Sequence, residues 1–256
     1  LKLHYSPIKR FNVDSAIIFS DILLVPFALG QKVNFTKNEG PQLSEFSIEN
    51  FFSNSEKEFV KKLSPIYKAI DITRKKLDKK KSLISFIGAP WTLLIYMMNL
   101  KENKLNINLE KLGKYKVNFN QILDDLSKYL CIHIENQINA GADVIQIFDS
   151  WAGLIPENKL IEYCFKPNVK LVNFCKKKNI PNICFPKGIK KKYEEFNNYV
   201  KPNGISLDPE IDPSWAKEKL RNVVIQGGLN PKILLKSEAE MIEGATKYFA
   251  IFKDNP

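Results

Sequence analysis

The stretch Ile122–Phe148 (ILDDLSKYLCIHIENQINAGADVIQIF), followed by Asp149-Ser150-Trp151-Ala152-Gly153, decides the fold. Residues Ile122, Leu123, Leu126, Tyr129, Leu130, Ile134 and Ile138 recur at spacings of three and four. That spacing makes one apolar stripe on a helix over 122–140. Gly141 follows as a C-cap. Val144–Phe148 is a near-continuous apolar run, the pattern of a strand buried on both faces of a parallel sheet. The same unit recurs outward in both directions. Further strands are expected at Ala16–Phe19, Leu83–Ile87, Asn182–Phe185, Gly204–Leu207 and Val223–Gln226. Helical patterns lie at Phe59–Leu77, Leu160–Phe174 and Glu238–Phe252. Strand–helix alternation predicts a parallel α/β sheet with right-handed crossovers. An eight-stranded barrel takes roughly 250 residues. Six strands separated by two long intervals, 34–82 and 100–121, leave two architectures: an open sheet, or a barrel that has lost pieces at its ends. No low-complexity linker divides the chain, so residues 1–256 read as one domain.

Composition narrows the class. The 256 residues are 44% hydrophobic and 26% charged, which excludes a disordered chain, a collagen-like chain and a disulfide-stapled scaffold. The longest apolar run, Ile22–Leu29, contains Pro26 and is far too short to span a bilayer. Leu1–Arg10 lacks the apolar core of a secretory signal. The four cysteines, Cys131, Cys164, Cys175 and Cys184, form no C-x-x-C pair and read as buried thiols in a reducing cytosol. Cys131 and His133 look like a metal pair, but residues two apart on a helix do not face each other.

Charge is the skewed quantity, at +11. Only Arg10, Arg74 and Arg221 are arginines, so the excess is lysine. Base-edge readout favours the arginine fork. The run Arg74–Lys81 reads as a solvated helix face, and no nucleic-acid module is visible. A cationic surface would instead concentrate a polyanionic small molecule. The expectation is a small-molecule protein with neither nucleic-acid nor membrane partner.

In parallel α/β folds the chemistry collects where strands end. The ends here are Ser20-Asp21, Gly88-Ala89-Pro90-Trp91-Thr92, Asp149-Ser150-Trp151, Pro186-Lys187-Gly188, Asp208 and Gly227-Gly228-Leu229-Asn230-Pro231. Each has a plainer reading. Asp21, Ser150 and Asp208 are candidate helix caps, Tyr96 a packed core residue, and Lys187 a solvated loop residue. On spacing alone the reaction stays open.

Five ordered blocks resemble the uroporphyrinogen decarboxylase family: Asp14–Leu23 with Ala28-Leu29-Gly30, Phe86–Leu93 with Tyr96-Met97, Gly141–Gly153, Lys187-Gly188, and Gln226-Gly227-x-Leu229-x-Pro231. The resemblance implies a TIM (β/α)8 barrel, here incomplete, with about six strands present and the first and last missing. It implies removal of carbon dioxide from the acetate side chains of uroporphyrinogen III, a polyanionic tetrapyrrole, to give coproporphyrinogen III in haem-type biosynthesis. It implies no metal or organic cofactor and a cytoplasmic homodimer. Carried over, Asp21 is the catalytic residue, accepting hydrogen bonds from the pyrrole N–H groups and stabilising a cationic intermediate. Tyr96 and Ser150 contact substrate, and Phe86 and Ile17 line the cleft.

The chain also departs from the family. An R-Q-A-G-R block and a G-H-G block have no counterpart here, which predicts an internal fragment that is inactive by itself although its parent enzyme is active. Gly228 and Asn230 stand where the family pattern is Q-G-N-L-D-P. Two alternatives from the same superfamily remain, a zinc-dependent methyltransferase and a catalytically inactive structural relative. Zinc needs a His/Cys set at the rim, and Cys184 lies inside its strand.

Overall fold

Six short apolar runs become six parallel strands, the inner four paired along both backbone edges, while helices cover one face. The computed structural model describes residues 2–36, 40–102, 106–108, 110–111 and 119–253. The strands are β1 (Ser15–Ile17), β4 (Ser82–Gly88), β5 (Val144–Asp149), β6 (Asn182–Pro186), β7 (Gly204–Leu207) and β8 (Val224–Gly227), and they pair in that order. β2 (Val33–Thr36) and β3 (Gly40–Leu43) form a separate antiparallel pair. The six-stranded sheet curls into an incomplete barrel. Three strand spacings in a flat sheet span about 14 Å, yet Gln146 on β5 donates to Gln226 on β8 at 2.9 Å.

Helices follow the strands on the outer face. They are α1 (Lys2–Phe11), α2 (Leu24–Ala28), α3 (Ile48–Phe52), α4 (Glu56–Lys76), α5 (Pro90–Met97), α6 (Phe119–Asn139), α7 (Lys166–Lys177), α8 (Tyr193–Val200), α9 (Pro213–Lys219) and α10 (Glu238–Phe252). The stripe of α6 is buried from Ile122 to Ile134, against α4 and α7. Gly141 ends that unit at φ +108°, where a Cβ would lie 2.7 Å from Arg74 Cγ, so glycine serves there both for conformation and for space.

The structure shifts several expected boundaries. β1 begins and ends earlier than 16–19, because Phe19 leaves the ladder, and β8 begins one residue later than expected. The segment 160–174 opens with a π-helical turn, Ile161–Phe165, before α7. The interval 34–82 holds a hairpin and two helices, and part of 100–121 lies outside the described residues. Asp21 is not a helix cap. α2 starts at Leu24 with no side-chain cap, and Asp21 Oδ1 accepts from Leu23 N at 2.9 Å in a local turn. His133 is a core residue, with Nδ1 at 3.0 Å from Tyr67 Oη and Nε2 at 3.0 Å from Gln137 Nε2. Among the described residues, no helix is long and apolar enough to cross a membrane.

Candidate active site

The inward-pointing residues of successive strands make an apolar wall. Ring pairs run Phe19–Phe86 (6.1 Å), Phe86–Phe148 (5.3 Å) and Phe148–Phe185 (6.3 Å), each edge-on. They place four aromatic rings in a row from the end of β1 to the end of β6. Ile17, on the same face, is 54% exposed. Phe19 is 71% exposed and the other three rings are half-buried, so the row presents apolar surface to solvent. Deeper in the hollow, Gln146 Nε2 donates to Ser206 Oγ at 2.9 Å as well as to Gln226 Oε1, and Ser206 Oγ also donates to Gln226. This closed polar group forms the floor under the rings.

Three of the expected residues sit at the rim. Asp21 is exposed at the end of β1. The adjacent Ile22 abuts the end of β4, since a Cβ on Gly88 would lie 3.3 Å from Ile22 Cβ. Tyr96 lies on α5, whose first residue is Pro90, a position where proline's missing N–H costs nothing. Its ring meets Trp151 at 6.0 Å, and Trp151 follows Ser150 at the end of β5. Tyr96 and Ser150 are thus brought to one side of the mouth through Trp151, and Lys101 Nζ stands 4.8 Å over the same indole. Hydrogen bonds among the described residues link Asp21 to Leu23, not to Tyr96 or Ser150. The contacts therefore join Tyr96 to the Ser150–Trp151 turn and leave Asp21 in its own turn beside the end of β4. Phe19, Phe148 and Phe185 were missed in the sequence because their strands are apolar on both faces. Only their position near the C-terminal ends could have singled them out.

The next two loops are locked together. Gly188 N donates to the buried Asp208 at 2.6 Å, and Tyr193 Oη donates to the same oxygen at 2.9 Å. Burial and that carboxylate push the Tyr193 phenol well up. Asp208 therefore holds the Lys187-Gly188 turn rather than capping a helix. Gly153 presses directly on Gly188, and a Cβ there would lie 2.7 Å from Gly188 O. The two departures near β8 also acquire reasons. Gly228 has φ +83°, and a Cβ there would run into Tyr248 Oη, so the asparagine of the family pattern does not fit without moving that ring. Asn230 caps the following turn by accepting from Lys232 N at 3.0 Å, which an aspartate would do equally well.

The thiols are poor candidates for nucleophilic chemistry. Burial pushes Cys131 up to about 11 and Cys175 up to about 12, and raises Cys164 and Cys184 well above the ordinary value. The thiolate, not the thiol, is the nucleophile. Among the described residues, no three His, Cys, Asp or Glu side chains converge on a point.

Residues 1–255 of the 256 match the family model described as uroporphyrinogen decarboxylase. A uroporphyrinogen decarboxylase of Orientia tsutsugamushi (strain Ikeda) is 41% identical over 253 residues, covering 93% of this chain and 70% of that protein. The one from Rickettsia bellii (strain RML369-C) is 37% identical over 251 residues, covering 97% and 74%. Among solved structures, a methyltransferase from Methanosarcina mazei superposes with a TM-score of 0.63 at 14% identity, covering 98% of this chain and 84% of that one. A B12-independent methionine synthase from Shewanella sp. W3-18-1 follows at 0.58 and 10%, covering 98% and 75%. At that identity the likeness extends to the fold alone. An aromatic hollow with a carboxylate at its mouth, carried on a sequence matched from end to end, makes this chain a member of the uroporphyrinogen decarboxylase family.

Proposed function

We infer that the protein is a carboxy-lyase of tetrapyrrole biosynthesis, converting the acetate side chains of uroporphyrinogen to methyls. The observation that carries this reading is the end-to-end family match, borne on a fold whose hollow is walled by four phenylalanines. The chemistry suits such a site. A pyrrole protonated at a ring carbon becomes a cation. The C–C bond to the carboxylate then breaks, its electron pair neutralises that cation, and carbon dioxide leaves. A proton added to the resulting exocyclic carbon gives the methyl, and loss of the proton first placed on the ring carbon restores the aromatic pyrrole. The protein's share is to position the ring and favour the cation.

In this reading Asp21 accepts from the pyrrole N–H groups and stabilises the positive charge, since an ionised carboxylate is acceptor-only. Tyr96 and Ser150 contact the side chains being processed. Phe86 and Ile17 pack on the macrocycle face, together with Phe19, Phe148 and Phe185. The lysine-rich surface draws in the polyanion. Uroporphyrinogen III as the isomer, a haem-type pathway, a cytoplasmic setting and a homodimer complete the proposal. The match to the family model and to the curated relatives favours this over a zinc-dependent methyltransferase.

The test is anaerobic incubation with uroporphyrinogen III, reading both binding and the products from seven to four carboxylates. Turnover that Asp21→Asn abolishes supports both the substrate and the role of Asp21. Binding without turnover keeps the substrate assignment and denies these 256 residues the activity. Neither binding nor turnover overturns the reading.

A further inference from the structure

The last residue of β5 sends its carboxylate away from the hollow. Asp149 is 1% exposed and lies on the same outward parity as Ile145 and Ile147. Its Oδ1 accepts from Thr92 Oγ1 at 2.8 Å and its Oδ2 from Asn168 Nδ2 at 3.2 Å. Asn168 Nδ2 also donates to Cys164 O at 2.9 Å, inside the π-helical turn. One carboxylate therefore joins α5, the π turn and α7.

The direction of these bonds is fixed by proton count. A threonine hydroxyl has a single proton, and Thr92 gives it to Asp149. Its remaining capacity is as an acceptor, and Trp151 N donates to it at 3.3 Å. The Trp151 carbonyl in turn accepts from Trp91 Nε1 at 3.1 Å. Two consecutive α5 residues thus grip both polar groups of the Trp151 backbone. The same helix carries Tyr96, whose ring rests on the Trp151 indole. A buried carboxylate is an expensive way to join two helices, because apolar packing would hold them without desolvating a charge. Burial pushes Asp149 up to about 6 even with these donors present.

We propose that Asp149 and Thr92 are a positioning pair, made outside the hollow, that sets the Ser150–Trp151 turn against Tyr96 and so governs substrate affinity. The proposal rests on the substrate roles of Ser150 and Tyr96 given above, and deepens them. Neither Asp149 nor Thr92 touches the ligand in this scheme. Both act through the backbone of Trp151.

The experiment compares Thr92→Val, which keeps the shape and loses the hydroxyl, with Thr92→Ser, which keeps the hydroxyl. Three quantities are measured: hydrogen exchange at the Trp151 amide, thermal unfolding, and KM and kcat for uroporphyrinogen III. Thr92→Val is expected to stay folded, to exchange the Trp151 amide faster, and to raise KM roughly tenfold, the size of one lost hydrogen bond, with kcat changed less. Thr92→Ser should restore both. Equal impairment in Thr92→Val and Thr92→Ser overturns the proposal. So does a Thr92→Val protein whose melting temperature falls while KM stays put. Asp149→Asn, if folded, should follow Thr92→Val. If the wild-type protein neither binds nor turns over the substrate, the substrate reading falls. The clamp is then decided by the amide alone, and unchanged protection in Thr92→Val overturns it.

Discussion

The two faces of one sheet behave oppositely. On the outer face Leu83, Ile87, Ile145, Ile147, Cys184 and Ile205 are at most 1% exposed, packed beneath the helices. On the inner face of the same strands Ile17 is 54% exposed and Val224 56%, while Phe86, Phe148 and Phe185 are half-buried. Neighbouring residues of similar hydrophobicity therefore have different jobs. An apolar side chain that is already dry stabilises the fold. One that is still wet has free energy left to release when a ligand covers it, about 25 cal/mol per Å² of apolar surface.

That contrast is open to direct attack. The largest effect expected is at Ile147→Ala, which should cost about 2–5 kcal/mol in urea unfolding and leave the KM of the folded fraction unchanged. Phe148→Ala, the next residue along, should cost less stability and raise KM. Equal stability losses at 147 and 148 would break the distinction between the faces.

Acid titration sharpens it next. His133, behind the outer wall, is held down to about 3 by burial. Its folded pKa lies below the unfolded one of about 6.5. The stability it confers is therefore complete above pH 6.5 and is lost as pH falls toward 3, at about 1.4 kcal/mol per pH unit. Asp149 runs the other way. Its folded pKa of about 6 exceeds the ordinary 3.8, so its cost is complete above pH 6 and is relieved as pH falls to 3.8. In wild-type protein the two slopes oppose each other between pH 6 and 3.8. Asp149→Asn should lose stability more steeply than wild type across that window, and His133→Gln less steeply, read as urea midpoints at each pH.

The smallest effect is at the mouth. Lys101→Ala removes a cation–π contact with an exposed lysine, and should change stability by less than about 1 kcal/mol.

The strand positions were legible because buried parallel strands are apolar throughout, and all six emerged within a few residues. The same property hid which residues face inward: in VIQIF only Gln146 breaks the run, and it belongs to the polar floor rather than the outer core. The β2–β3 pair was not legible, since VNFT alternates over only four residues and GPQL does not alternate and carries Pro41, which argues against a strand. The π turn had no warning either, because 160–174 keeps a helical period through it. Of the site, Asp21, Tyr96 and Ser150 came from resemblance and not from local pattern. They sit on three separate loops, and nothing in their spacing joins them. The link between Tyr96 and Ser150 is the Trp151 indole, a contact formed only by folding.

The close approach of Gly153 to Gly188 has a mechanical consequence. With no side chains between them, the loops after β5 and β6 meet backbone to backbone, Gly153 N donating to Lys187 O at 2.9 Å. A lone methyl introduced at 153 would act as a wedge, prising apart the two lips that carry Ser150 and Lys187 without altering any group that meets the ligand.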